Sequence, residues 1–167
     1  MQEQPLCTAI AGKVREQMEL AESLIAKLSA EQLAWTPPGE AWSTARLLGH
    51  ILDCLAGMCA VLYAAKPEDL AHFGALRALP VNHACGHDEA LARIREYQAR
   101  IAEGFSRLTD PDLARPIPTV FVANGEPLLT LILGNLEHLT NHKHELFVRL
   151  KRMGAAVGTP DLYRFRA

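Results

Sequence analysis

The segment that decides the fold covers residues 43–65 and reads STARLLGHILDCLAGMCAVLYAA. Ser43 is a favourable helix N-cap, and the apolar residues after it recur at spacings of three and four, as on the buried face of an α-helix. This stripe comprises Leu47, Ile51, Leu55, Met58 and Leu62. The pattern predicts a helix that starts near Ser43 and ends at about Ala65.

Three further segments have the same periodicity and predict three more helices. They run from about Cys7 to Leu28, from His87 to Leu108, and from Pro127 to Met153. Proline is tolerated at a first helical position, and Gly154 is a natural stop for the last of these helices. Four helices of about 20 residues, with little strand signal, predict an all-α four-helix bundle.

The connections between the predicted helices are long. The first has about 14 residues and the other two close to 20, whereas links in helical bundles typically have 2–8 residues. Long links suggest crossovers, or loops that build a pocket at one end of the bundle. Within the last link, residues 116–122 (PIPTVFV) could form a short extended piece.

Length and composition favour one globular domain that spans residues 1–167. The chain is 49% hydrophobic and 22% charged, as expected of a folded protein rather than a disordered one. A formal net charge of −2 lacks the basic footprint of a nucleic-acid-binding protein, so we expect no nucleic-acid partner.

Neither a membrane span nor a secretory signal is expected. The longest apolar run, residues 47–65, is interrupted by His50 and Asp53, and the first five residues are polar and acidic. The four cysteines, at positions 7, 54, 59 and 85, have no CxxC spacing. We therefore expect a cytoplasmic protein with free, mostly buried thiols.

Histidines on the fourth predicted helix indicate a metal site. His138 and His142 stand four residues apart, on one face of a helix, where two imidazoles can hold one ion. His144 points about 200° away from His142 around a regular helix and cannot join them. His50 is the best candidate for a third ligand, since it lies on or beside the inward stripe of the second predicted helix.

Three neutral imidazoles would leave a divalent ion its full charge and an open position, which is typical of a catalytic site. The alternative is that His50 is a hydrogen-bonded core residue and that the His138/His142 pair arose by chance. The zincin motif is absent, because Leu139 follows His138 where that motif needs glutamate.

Two stretches resemble the DinB/YfiT-like superfamily. The first reads LAWTPPGEAWS at residues 33–43, followed by LLGHI at residues 47–51. The second begins HLTNHKHEL at residues 138–146 and continues with LKRMG at 150–154 and PDLYRF at 160–165. The sequence departs from the family pattern at Lys143, His144 and Glu145, where arginine, glycine and glutamine are usual.

The resemblance implies a DinB/YfiT-type four-helix bundle, often a homodimer, with a divalent ion held by His50, His138 and His142. Zinc and nickel are the usual ions in the family. Characterised relatives include transferases and isomerases that use low-molecular-weight thiols, and others are described as metal-dependent hydrolases. We therefore expect a metal-dependent transferase or hydrolase acting on a small molecule, with a thiol or water as the nucleophile. The alternative is a non-catalytic, metal-binding stress-response bundle that acts through protein partners.

Other residues are weaker candidates for roles at the site. Carboxylates that could orient the imidazoles are Asp53, Glu137 and Glu145, and Cys54 could approach the ion although an inert buried thiol is the simpler interpretation. Trp35 and Trp42 could line the mouth of the pocket, or simply pack at helix junctions. Arg164 and Arg166 could contact an anionic substrate or be solvated.

A second group of possible metal ligands lies in a predicted loop, where His83, Cys85 and His87 fall within five residues. A loop followed by a helix start, with no metal, is the simpler interpretation of this group.

Overall fold

Four long helices form the protein, as predicted. In the computed structural model, which describes residues 4–119 and 123–164, they are α1 (Pro5–Ile25), α3 (Thr44–Ala65), α4 (His87–Ser106) and α5 (Leu128–Arg152). A short helix, α2 (Ala30–Ala34), lies in the first connection. The all-α bundle expected from the periodicity is confirmed.

The predicted helix boundaries are close to those observed, and the local capping signals act as expected. The Ser43 hydroxyl accepts a hydrogen bond from the backbone N–H of Arg46, which caps α3. Pro127 immediately precedes the first residue of α5, and Gly154 follows its C-cap with a φ of +79°. A left-handed conformation of this kind is strained for residues with a Cβ, which explains the glycine at this helix end.

Two helices end earlier than the periodicity predicts. Helix α1 stops at Ile25 rather than Leu28, and α4 stops at Ser106 rather than Leu108. Leu28 and Leu108 follow in tighter turns, in which each backbone N–H bonds to the carbonyl three residues back. Both side chains remain buried, so the apolar pattern continues beyond the α-helical hydrogen bonding.

Helix α3 lies at the centre of the packing. It contacts α4 and α5, and α1 completes the bundle by contacting the same two helices. Helix α3 is long and apolar enough to cross a membrane, but 56% of its most apolar window is buried inside the bundle. Most of this window therefore packs against the neighbouring helices, as in the core helix of a bundle.

The described parts of the long connections, and the segment after α5, contain short elements. Short 3₁₀ helices occupy Ala71–Ala78, Asp110–Ala114 and Thr159–Asp161. Strands β1 (Pro116–Ile117) and β2 (Glu126–Pro127) pair antiparallel, so part of the predicted extended piece is present. Residues 120–122 of that piece lie outside the described residues. The loop at residues 79–86 returns along α3 next to His50, where it borders the candidate site.

Candidate metal centre

The structure brings His50, His138 and His142 together. One ring nitrogen from each lies within 4.8 Å of the others, and the Nε2 atoms of His50 and His138 are 3.2 Å apart. His50 comes from α3 and the other two from consecutive turns of α5, the helices that pack most closely in the core. The three histidines selected from the sequence therefore lie in one cluster.

The electrostatics of the cluster favour neutral imidazoles. Burial lowers the pKa of His50, and the neighbouring His142 lowers it further. Burial, followed by the charge of His50, likewise lowers the pKa of His138. A single proton can bridge the two Nε2 atoms, so at least one ring nitrogen at this contact offers a lone pair. Neutral imidazoles that converge are the form that binds a metal ion.

A carboxylate orients His142 from the far side of the cluster. Glu145 Oε2 lies 3.1 Å from His142 Nδ1, and the other oxygen of Glu145 accepts a hydrogen bond of 2.6 Å from Arg149. A carboxylate at the outer nitrogen fixes the ring and leaves Nε2 free to act as a ligand. Of the three carboxylates considered from the sequence, Glu145 has this contact.

Arg149 connects this carboxylate to the start of α3. Its side chain is 2% exposed, and it donates to Glu40 (2.8 Å) and to the backbone carbonyl of Trp42 (2.9 Å). The Trp42 ring packs edge-on against His50, at 5.0 Å between centroids, and stacks near His142. Arg149 therefore couples an imidazole on α5 to the indole that covers the cluster. Arg149 is absent from the residues predicted from the sequence, although its spacing of four from Glu145 is a signal for an ion pair on a helix.

The other two candidate carboxylates are less direct. Asp53 Oδ2 lies 3.9 Å from His50 Nδ1, beyond hydrogen-bond distance, and accepts instead from the backbone N–H of Asn82 at 2.7 Å. Its charge still acts on His50 and partly offsets the effect of burial on that pKa. Glu137 is exposed on the surface of α5.

Several other sequence candidates lie away from the cluster. The Cys54 thiol donates to the backbone carbonyl of His50 at 3.2 Å rather than facing the imidazoles, and burial raises its pKa to about 12. His144 is exposed and stacks near Phe147, as its position around the helix predicted. Trp35 packs under Arg152 rather than on the imidazoles. Arg164 pairs with Glu19 on α1 at 2.5 Å, and Arg166 lies outside the described residues.

Lys143, one of the three residues that differ from the resembled family pattern, makes buried contacts between elements. Lys143 is almost fully buried, and its Nζ donates to Gln17 Oε1 at 2.5 Å and to the carbonyl of Leu162 at 2.9 Å. It thus ties α5 to α1 and to the C-terminal segment. Burial lowers its pKa to about 8.

The second group of possible ligands has a different membership from the one predicted. His83 and Cys85 lie together as expected, but the third side chain is Glu89 from the first turn of α4. His87 begins that helix, and its Nδ1 faces Asp88 at 3.1 Å instead. The helical turn that starts at His87 points its side chain away and brings Glu89 back over the loop.

Comparisons with known proteins agree with this architecture. The family model of the DinB superfamily matches residues 14–146, which is most of the chain. The chain therefore belongs to the DinB superfamily, a conclusion that the bundle and the order of the histidines had suggested. Family membership and the histidine cluster together fit a metal-binding protein.

A solved structure supports the fold independently. The chain is similar to a DinB-like protein from Bacillus subtilis, YjoA, with a TM-score of 0.67 and 19% sequence identity. The similarity covers 87% of this chain and 92% of that protein. At this level of identity it supports the fold alone. No curated protein matches the sequence.

Proposed function

We propose that this protein is a divalent-metal-dependent enzyme in which His50, His138 and His142 hold the ion, with zinc or nickel as the metal. The observation that carries the proposal is the convergence of three imidazole nitrogens within 4.8 Å. Three nitrogen donors suit zinc and nickel among the common divalent ions. A closed structural zinc site needs four ligands, so a three-histidine set leaves room for a reactant.

The ion would supply a Lewis acid that lowers the pKa of a bound thiol or water. The chain supplies the positions of the ligands. Glu145 fixes the His142 ring, and Arg149 holds Glu145 in place. Trp42 covers one side of the cluster, which limits access of bulk water there. His138 is exposed, so the cluster opens to solvent on the side where a small molecule would enter.

We propose that the reaction is either the transfer of a low-molecular-weight thiol to a small-molecule substrate or the hydrolysis of such a substrate. Either chemistry needs a nucleophile activated at the ion, and either suits an open three-imidazole site. Arg46, one turn before His50, places its guanidinium 5.4 Å from the centre of the Trp42 ring. Its positive charge also lowers the pKa of His50, so it acts within the site. We infer that the substrate carries a negative charge next to its reactive group.

The proposed setting is a cytoplasmic homodimer. Helix α5 carries two large exposed apolar residues, Leu133 (48% exposed) and Val148 (39% exposed), which would be covered by a second copy. Sedimentation equilibrium that shows only monomer at working concentration would exclude the dimer.

Metal analysis of three purified proteins tests the site. The wild type, His142→Ala and the matched control His144→Ala are compared by plasma mass spectrometry after reconstitution with zinc or nickel. We expect His142→Ala to lose the ion of this cluster and His144→Ala to retain it, because both histidines are on α5 but only His142 faces the cluster. Equal metal contents in all three proteins would contradict the site.

Activity is then tested with the same three proteins on a panel of thiols, electrophiles and hydrolysable esters and amides. Turnover by the wild type and His144→Ala, and none by His142→Ala, is the expected result. Metal binding without turnover across the panel, together with a metal-dependent change in partner binding, would support the non-catalytic alternative instead.

A further inference from the structure

The loop between the 3₁₀ helix at Ala71–Ala78 and α4 carries a second group of metal-ligating side chains. His83 and Cys85 belong to the loop, and Glu89 belongs to the first turn of α4. One ligand atom from each lies within 4.8 Å of the others. Cys85 is 1% exposed, whereas Glu89 lies at the surface. The group therefore offers imidazole nitrogen, sulfur and carboxylate oxygen at the edge of the bundle.

We propose that His83, Cys85 and Glu89 form a second metal site, separate from the three-histidine cluster and selective for a thiophilic divalent ion of the zinc class. Nitrogen, sulfur and carboxylate donors are the ligands that zinc takes in proteins. Sulfur disfavours magnesium and calcium, which prefer oxygen alone.

The contacts of His83 connect the imidazole to two charged neighbours from α4. His83 Nε2 lies 3.0 Å from Glu89 Oε1 and 3.3 Å from Arg93 Nη1. A guanidinium can only donate and an ionised carboxylate can only accept. Without an ion, a protonated Nε2 donates to Glu89 Oε1, and Arg93 Nη1 lies 3.5 Å from the same oxygen. A cation bound between Nε2 and Oε1 would take the place of the proton that now lies between them.

Arg93 has another partner available when an ion binds. Its second terminal nitrogen already donates to the Tyr97 hydroxyl at 3.1 Å, and its guanidinium lies 5.8 Å from the centre of the Tyr97 ring. The guanidinium can therefore turn towards Tyr97 and leave Glu89 to the ion. In the absence of an ion, Arg93 neutralises Glu89 and competes for the site.

Charge and proton balance are consistent with a divalent ion. Burial, followed by the charge of Glu89, raises the pKa of the Cys85 thiol to about 12, so the ion itself must displace the thiol proton. That proton leaves to solvent as the sulfur–metal bond forms. The thiolate and the Glu89 carboxylate then carry two negative charges, which match the two positive charges of the ion. The charges of Arg93 and Asp53 act on the pKa of Cys85 in opposite directions, with Arg93 lowering it and Asp53 raising it.

The backbone of the loop is already held in place for binding. The N–H of Cys85 donates to the Ala45 carbonyl at 2.9 Å, and the N–H of Asn82 donates to Asp53 Oδ2 at 2.7 Å. Both acceptors are on α3, on either side of His50 along the helix. An ion at this site would therefore fasten the loop and the first turn of α4 together beside the three-histidine cluster.

Cobalt(II) titration distinguishes the two sites, because only a thiolate ligand gives the near-ultraviolet sulfur-to-cobalt charge-transfer band. The experiment uses the full chain with His50→Ala, His138→Ala and His142→Ala combined, so that the first cluster is removed. We expect the band to appear in this protein, to be displaced by zinc, and to be lost on the further change Cys85→Ser. Cys54→Ser is the matched control and should retain the band, since the Cys54 sulfur bonds to the His50 carbonyl instead.

Two variants at charged residues test the site while the Cys85 thiol is kept. Glu89→Gln removes an exposed carboxylate and should weaken cobalt binding. Arg93→Met removes the competing cation and should tighten it. No charge-transfer band at saturating cobalt in the folded protein, or a band that survives Cys85→Ser, would overturn the proposal. Because the first cluster is absent throughout, these outcomes do not depend on whether His50, His138 and His142 bind an ion.

Discussion

The close approach of the loop to α3 predicts that Gly49→Ala destabilises the protein. An ideal Cβ at Gly49 would lie 1.9 Å from the carbonyl oxygen of His83 and 3.1 Å from its carbonyl carbon. Real Cβ atoms essentially never approach another heavy atom within 3.0 Å, so the loop would have to move by about 1 Å. Both clashing atoms are backbone, and no side-chain rotation can relieve the overlap.

The magnitude follows from what the moving loop loses. Its hydrogen bonds to α3, from Cys85 N–H to Ala45 and from Asn82 N–H to Asp53, contribute roughly 0.5–1.5 kcal/mol each. Overpacking in a well-packed region typically costs about 1–3 kcal/mol. Replacing glycine with alanine inside a helix returns about 1 kcal/mol. We expect a net loss of about 2 kcal/mol in the free energy of unfolding, which leaves a protein of ordinary stability folded.

Urea denaturation followed by far-ultraviolet circular dichroism measures this loss. Gly12→Ala in α1 and Gly134→Ala in α5 are matched controls, because both are helical glycines with no heavy atom within 4 Å of the added Cβ. These controls should gain about 0.5–1 kcal/mol from helix propensity. If Gly49→Ala proved as stable as the controls, the described packing of the loop on α3 would be wrong.

Three further predictions concern the ligands, the buried arginine and the buried thiols. Two variants are compared in a Cys85→Ser background, His144→Ala and His138→Ala. Zinc at 100-fold above its dissociation constant should raise the free energy of unfolding of His144→Ala by about 2.7 kcal/mol but should not stabilise His138→Ala. Equal stabilisation of the two proteins in urea titrations would contradict the three-histidine site. Arg149→Met should lower the free energy of unfolding by about 2 kcal/mol in the same assay, because it removes charge-assisted hydrogen bonds to Glu40 and Glu145. It should also weaken metal binding, because Glu145 is released. An unchanged metal affinity would show that Glu145 does not need this support. Burial raises the pKa of Cys59 from 9.0 to about 12, so between those pH values the unfolded chain binds fewer protons than the folded one and stability falls as pH rises. Cys59→Val should flatten this decline above pH 9 by up to about 1.4 kcal/mol per pH unit. Stability–pH profiles of the wild type and Cys59→Val that run parallel would argue against a buried thiol.

Much of the fold was predictable from the sequence because helical periodicity and capping are local. The apolar stripe after Ser43, the proline before α5 and Gly154 after it each act within a few residues, and they placed three of these helix ends to within about a residue. The errors at Leu28 and Leu108 have one cause. A buried side chain is compatible with either an α-helical or a tighter turn, and the apolar pattern reports burial rather than hydrogen bonding.

The candidate site was predictable only in part, for a related reason. His138 and His142 share a face of one helix, so their proximity follows from helical geometry alone. His50 is 88 residues away from His138 in sequence, and the choice of His50 depended on its place in the apolar stripe and on the family resemblance. Arg149 was missed, because it reaches Glu40 and Trp42 across the fold.

The sequence by itself determined the helices, the pairing of two histidines on one face, and the family. Only the tertiary structure decided that Glu145 rather than Glu137 supports an imidazole, and that Glu89 rather than His87 joins His83 and Cys85. In both cases the competing residues are close in sequence. They differ in the direction in which their helix presents them to a neighbouring element. That direction depends on how the helices pack, which the sequence does not show.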